Sequence, residues 1–248
     1  MIPVARFEGR PDENMHPAPH PSYSPPRDTG LDLVYCDRTL LIVNKPAGLL
    51  SVPGRGVNKS DSLFRRVQKA FPEATCVHRL DMDTSGLLVF ARNPEAHRDL
   101  SRLFRDRQVE KRYVALVSGR VAFDSAEVSL PIGPDWPNRP RQKIDFGGGK
   151  PSLSRVRLLE HARIENGASA LPHQRRVDAS RVELEPWTGR THQLRIHMAA
   201  IGHPVLGDRL YGGDCGCKYG RMLLHARSLS FVHPVTGAKI ARQCVEPF

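Results

Sequence analysis

The chain has 248 residues, with 37 Lys and Arg against 26 Asp and Glu, a formal charge of +11 with histidine neutral. Its length allows one or two domains, and 40% hydrophobic with 25% charged content excludes wholesale disorder. No apolar run exceeds five residues, which excludes a transmembrane helix, and the positive surplus points to an anionic partner, nucleic acid ahead of an anionic membrane.

The first thirty residues hold seven of the 21 prolines, so residues 1–30 are expected to form a proline-rich, poorly ordered arm ahead of one folded domain over 31–248. The arm lacks an apolar core and carries Glu8, Asp12 and Glu13, unlike a secretory or mitochondrial leader. The five scattered cysteines then read as reduced thiols of a cytoplasmic protein. Leu33-Val34-Tyr35 and Leu40-Leu41-Ile42-Val43 predict short strands around an Asp37-Arg38 turn. Leu63, Phe64, Val67, Ala70 and Phe71 recur at helical spacing until Pro72. A stronger helix is predicted from Pro94 to about Asp106, with Asn93 as cap and Ala96, Leu100, Leu103 and Phe104 as its apolar stripe. Arg98, Arg102 and Arg105 occupy its other face, as a solvated surface or an RNA-facing one. Strands are predicted at Lys111–Val117, Ser154–Leu159, Arg181–Leu184 and Leu223–Phe231, and a helix at Thr191–Ile201 with Gly202 at its end. Hairpin-like pairs without repeated βαβ units predict an α+β domain, its mixed, mostly antiparallel central sheet flanked by helices. Phe146 to Lys150 is glycine-rich but lacks the Gly-Lys-Ser/Thr ending of a phosphate loop, and reads as a turn.

Two dense polar stretches interrupt this pattern. The first, His78-Arg79-Leu80-Asp81-Met82-Asp83-Thr84-Ser85-Gly86, stands in a strand-like setting. On extended chain Arg79, Asp81 and Asp83 share one side, which fits a site at a strand entrance or a surface turn with a local ion pair. The second runs from Thr188 to His197. Gly189 ahead of a helix start offers amide donors suited to phosphate, and His192 and Arg195 at i and i+3 share a helical face. His192 and His197 are five apart, a poor pair for one metal, and Cys215-Gly216-Cys217 lacks a matching second pair. No metal site is expected.

Five separated segments carry a family likeness. They are Asn44-Lys45-Pro46-Ala47-Gly48, His78-Arg79-Leu80-Asp81 with Thr84-Ser85-Gly86, Lys111-Arg112-Tyr113, Gly189 to His197 continuing to His203-Pro204-Val205-Leu206-Gly207-Asp208, and Leu223-Leu224-His225-Ala226 with His233-Pro234. In this order, over about 31–248, the chain resembles the RluA family of RNA pseudouridine synthases. Leu49 to Arg55 and Asp135-Trp136-Pro137-Asn138-Arg139-Pro140 are similar to the branch that modifies a large-subunit rRNA loop and the first nucleotide of the tRNA anticodon loop. The arm is too short and too poor in apolar residues to be the S4-type RNA-binding domain many relatives carry.

The resemblance implies the pseudouridine synthase fold and isomerisation of uridine in RNA by base flipping, in a monomer without cofactor or metal. It makes Asp81 the nucleophile, Arg195 its basic partner, and Tyr113 the group that contacts the target base and removes the C5 proton. It also places Arg79 in the gap left by the flipped nucleotide, with His78, Arg190, His192 and Leu224 as further substrate contacts. The residue types suit the chemistry: a carboxylate near an anomeric carbon can break a glycosidic bond, and a nearby guanidinium favours its charged form. Leu80, Leu194 and Leu224 are candidate walls of an apolar pocket. Two segments depart from the pattern: His161–Ala179, a longer turn with Arg175-Arg176, and the glycine-rich Tyr211–Gly220. Two other readings stay open. A non-catalytic RNA-binding protein or RNA chaperone would explain the charge, and a hydrolase would use Asp81 with Asp83, although neighbours on one strand do not flank a sugar.

Overall fold

The computed structural model describes residues 23–165, 176–213, 216 and 219–248. Twelve strands and three α-helices are formed by these residues. In chain order they are β1 (Leu33–Cys36), β2 (Leu40–Lys45), α1 (Leu63–Ala70), β3 (Thr75–Cys76), β4 (Ser85–Ala91), α2 (Pro94–Arg105) and β5 (Glu110–Ser118). They continue as β6 (Ser125–Ser129), β7 (Ile132–Pro134), β8 (Gln142–Ile144), β9 (Leu153–Glu165), β10 (Arg176–Pro186), α3 (Gln193–Ala200), β11 (Leu224–Val232) and β12 (Lys239–Gln243). A ten-stranded sheet runs β1-β2-β4-β11-β5-β10-β9-β6, with β3 added beside β4 and β12 beside β11, while β7 and β8 form a separate hairpin. Every pairing is antiparallel except β4 with β11. The architecture is the α+β, mostly antiparallel one predicted.

β2 and β4 are continuously apolar because both of their faces are covered. On one face Leu41, Val43, Leu88 and Phe90 pack with Leu63 and Val67 of α1. On the other, Leu40, Ile42, Leu87 and Val89 pack with Ala96 and Leu100 of α2. The far half of the sheet is covered by α3, whose Leu194 and Met198 join Ala115, Val117, Val156, Val182 and Leu184. α2 forms as predicted, with Asn93 Oδ1 accepting from the Ala96 amide at 2.8 Å. On its outer face Arg102 pairs with Asp99 at 2.9 Å and Arg105 with Asp106 at 3.1 Å, as on a solvated surface.

The halves meet where β4 and β11 run parallel, at Ser85 with His225 and Gly86 with Ala226. Gly86 has φ +115°, and a Cβ there would lie 2.3 Å from Ala226 O. Gly86→Ala combines backbone strain with overpacking, and is expected to cost about 2–4 kcal/mol. Thermal unfolding should show a drop of roughly 5–15 °C, and an unchanged midpoint would contradict this close approach.

Several expectations need correction. Order begins earlier than Leu31: Tyr23 Oη donates to Asp61 O at 2.9 Å and accepts from the Leu50 amide at 3.1 Å. Residues 23–30 still form no helix or strand, as prolines dictate, and residues 1–22 lie outside the described part. β9 and β10 are 13 and 11 residues long, well beyond the short strands predicted. β3, β6, β7, β8 and β12 span two to five residues each, too short for hydrophobic alternation to register. Residues 166–175, with Arg175, and both Cys215 and Cys217 lie outside the described residues. The 146–149 turn is as read, with Asp145 Oδ1 accepting from the amides of Gly147 and Gly148.

Candidate active site

The first polar stretch is a loop. Residues 77–84, between β3 and β4, form no strand, and the Thr84 amide closes a turn on Asp81 O at 3.2 Å. Arg79, Asp81 and Asp83 are therefore arranged by loop contacts and not by strand alternation. Ser51 Oγ donates to Leu80 O at 2.6 Å and accepts from the Leu80 amide at 3.1 Å. Lys45, fully buried at the end of β2, donates from Nζ to Pro46 O, Leu49 O and Met82 O at 2.9, 2.7 and 2.8 Å. Burial pushes its ammonium down to about 7, against the pull of Asp83 and Asp81. Three carbonyls on three donors is nonetheless the arrangement of the charged form. The backbone on both sides of Asp81 is thus anchored without use of its carboxylate.

That carboxylate meets α3. Arg195 Nη1 donates to Asp81 Oδ2 at 3.0 Å, while its Nε and Nη2 grip Asp208 Oδ2 and Oδ1, both at 2.7 Å. The Asp208 side chain is fully buried and Arg195 is 4% exposed, whereas Asp81 keeps 26% of its side chain open. Burial works against both charges of the inner pair, but their mutual hydrogen bonds outweigh it, raising the Arg195 guanidinium and holding Asp208 low. Asp208 Oδ1 also accepts from the amides of Leu210 and Tyr211 at 2.9 and 3.1 Å. The outcome is a fixed guanidinium that holds one partly open carboxylate. Burial pushes the carboxyl of neighbouring Asp83 up, disfavouring its charged form.

Tyr113 on β5 packs against both the α3-side and α1-side cores, touching the clusters that hold Leu194 and Leu224 on one hand and Leu80 on the other. The three leucines predicted as walls thus belong to the two clusters that this ring packs against. Burial, and then the Asp81 charge, raise the Tyr113 phenol well above its usual range.

His192 is brought to the site but not by helical spacing: it precedes α3 with a left-handed φ of 56°. Its Nε2 stands 4.0 Å from Asp81 Oδ1 and its Nδ1 2.8 Å from Tyr211 Oη. Burial lowers its pKa, leaving a neutral ring at neutral pH. Tyr211, which the sequence reading left without a role, lies under the Arg195 guanidinium at 5.1 Å and accepts from the Gln142 amide at 2.8 Å.

The remaining predicted contacts separate. Arg79 is exposed on the loop beside Asp81, free to reach outward. Arg190 is exposed too, its Nε 3.4 Å from Pro151 O. Its amide donates to Gln193 Oε1 at 3.0 Å. His78, expected as a substrate contact, is held within the fold. Its Nε2 accepts from the Val89 amide at 3.0 Å, its ring stacks on Phe104 at 4.2 Å, and burial drives its pKa down to about 3. It fastens the loop to β4 and α2. Asp208 was quoted in a motif without a role; a carboxylate directly after Gly207 in a run otherwise apolar (Val205-Leu206) was the available signal.

The solved structure of human RNA Pseudouridylate Synthase Domain Containing 1 matches 91% of this chain and 87% of its own, with TM-score 0.74 and 33% identity. Human RNA Pseudouridylate Synthase Domain Containing 4 shares the fold, with TM-score 0.65, 22% identity and coverage of 87% and 88%. Fold and site together define a pseudouridine synthase, an isomerase acting on RNA. The family model described as RNA pseudouridylate synthase matches residues 39–200, and this chain belongs to that family. Among curated proteins it is 45% identical over 217 residues to the dual-specificity RNA pseudouridine synthase RluA of Escherichia coli K12, covering 87% of this chain and 93% of that one. To the protein of the same name from Pasteurella multocida it is 46% identical over 216 residues, with the same coverage. No helix among the described residues is long and apolar enough to cross a membrane.

Proposed function

We propose that this enzyme converts uridine to pseudouridine in two RNAs, a large-subunit rRNA loop and the anticodon stem-loop of tRNA, acting as a cytoplasmic monomer without metal or cofactor. The reading of substrates rests on the 45% identity to a relative named as dual-specificity. The observation that carries the chemistry is the Asp81 carboxylate, partly open and held by a buried arginine.

The target uridine leaves its stack, at a cost of a few kcal/mol that is smallest in a loop, and enters the cleft. Asp81 acts at the anomeric carbon as the C1′–N1 bond breaks, and uracil departs as an anion delocalised over its carbonyls, so no second acid is needed. The detached ring turns against Tyr113 and the leucine walls, and C5 bonds to C1′ as Asp81 is released. One proton must leave C5 and one must reach N1. Atoms and electrons balance without an oxidant or reductant. Tyr113 enters with its hydroxyl protonated, because burial and Asp81 disfavour the phenolate. It therefore acts as a relay, taking the C5 proton as its own passes to the freed Asp81 carboxylate and on to N1. Arg79, exposed beside Asp81, fills the space the base vacates.

The test is to incubate the protein with each stem-loop RNA, digest, and resolve the nucleosides. Pseudouridine without free uracil from both RNAs is the expected result. Product from one RNA alone would overturn the dual specificity, free uracil would mean hydrolysis, and neither would mean binding without catalysis.

A further inference from the structure

The β7–β8 hairpin carries a surface that the chemistry above does not use. Its tip is preformed: the Asp135 amide donates to Arg141 O at 3.1 Å, Asn138 N to Asp135 O at 3.1 Å, and Arg141 N to Asn138 O at 2.9 Å. On this tip Trp136 is 64% exposed, an unusual position for so large an apolar ring. One face of the indole is covered by the Arg139 guanidinium at 3.8 Å, which leaves the other to solvent. Arg141 and Lys143 follow on the same hairpin, while the nearby acids are engaged locally: Asp135 accepts from Asn138 Nδ2, and Asp145 from two turn amides.

The hairpin is tied to the active site. The Gln142 amide, at the first residue of β8, donates to the Tyr211 hydroxyl that also meets His192. A groove of about 350 Å³ runs from Pro134 and Gln142 past Lys150 to Gly189, Arg190 and Thr191, the residues just before His192. Trp136 follows two residues after Pro134, which pairs with Gln142 across the hairpin. A basic groove leading from a base-flipping site to a rigid, half-covered indole has the composition of a single-strand nucleic-acid path, in which aromatic rings stack bases and guanidinium groups hold phosphates.

We infer that Trp136, backed by Arg139, is a stacking platform for an unpaired base flanking the target uridine, and so a determinant of which RNA loops are modified. This rests on the chain acting on stem-loop RNA and adds the groove and platform to it. Trp136→Ala should raise KM for the stem-loop by about 5- to 100-fold, the range expected for one lost base–aromatic stack, and Trp136→Phe should recover most of it. The salt dependence of binding should keep its slope in Trp136→Ala, since no phosphate contact is removed. Val235→Ala, at an exposed apolar residue of the β11–β12 turn, serves as the control and should match wild type. Equal unfolding midpoints would show that all variants are folded. KM unchanged in Trp136→Ala, with wild type active on the same RNA, would mean that the indole serves only to hold Arg139 and would overturn the platform. No turnover by wild type would instead strike at the proposed substrates.

Discussion

Asp81→Asn is expected to leave RNA affinity within about threefold of wild type while slowing pseudouridine formation by at least about 10⁴-fold. The two halves of this expectation come from different atoms. The loop backbone is held by Ser51 on Leu80 and by Lys45 and the Gly48 amide on Met82 O, none of which touches the carboxylate. The amide oxygen of the variant can still accept from Arg195 Nη1, so the local geometry survives. What disappears is the nucleophile. Single-turnover rates, with binding measured separately, distinguish the two. A variant rate within about 100-fold of wild type would move the chemistry to another group and falsify the assignment of Asp81. Asp83 is the other carboxylate of the loop, and burial disfavours its charged form.

Why Asp81 was given a role at the level of the sequence, and Asp208 was not, is a matter of what each residue does. Asp81 belongs to a polar cluster standing directly before an apolar strand, so its density alone drew notice. Asp208 acts only through Arg195, and nothing in its local spacing points thirteen residues back to α3. Long-range pairing is also what the sequence hides at His78. The family resemblance makes it a substrate contact, and its ring is at the same time held by the Val89 amide and by Phe104 of α2. The strands β2 and β4 were legible because two-sided burial writes them as unbroken apolar runs. β7 and β8, three residues each, carry no such signal, and their importance lies in what they present at the tip and rim. His192 shows a third kind of gap. It reaches Asp81 from a left-handed residue ahead of α3, a placement that helical periodicity predicts only by accident.

The second large effect should come from Arg195, and the choice of substitution decides what it measures. Arg195 spends three donors in two directions, Nε and Nη2 on Asp208 and Nη1 on Asp81. Arg195→Ala removes both links and leaves the fully buried Asp208 carboxylate with only the amides of Leu210 and Tyr211. Breaking one side of a buried ion pair costs about 3–5 kcal/mol, so that variant loses activity and stability together. Arg195→Lys separates them. A single ammonium can satisfy Asp208 and keep the fold, with an unfolding midpoint expected within about 5 °C of wild type. It cannot span both carboxylates as a planar fork does, and kcat should fall by at least about 100-fold. The unfolding midpoint supplies an independent readout, because Asp208 keeps a cationic partner in Arg195→Lys and loses it in Arg195→Ala. A Lys variant with wild-type kcat would show that Asp81 works without a fork to aim it.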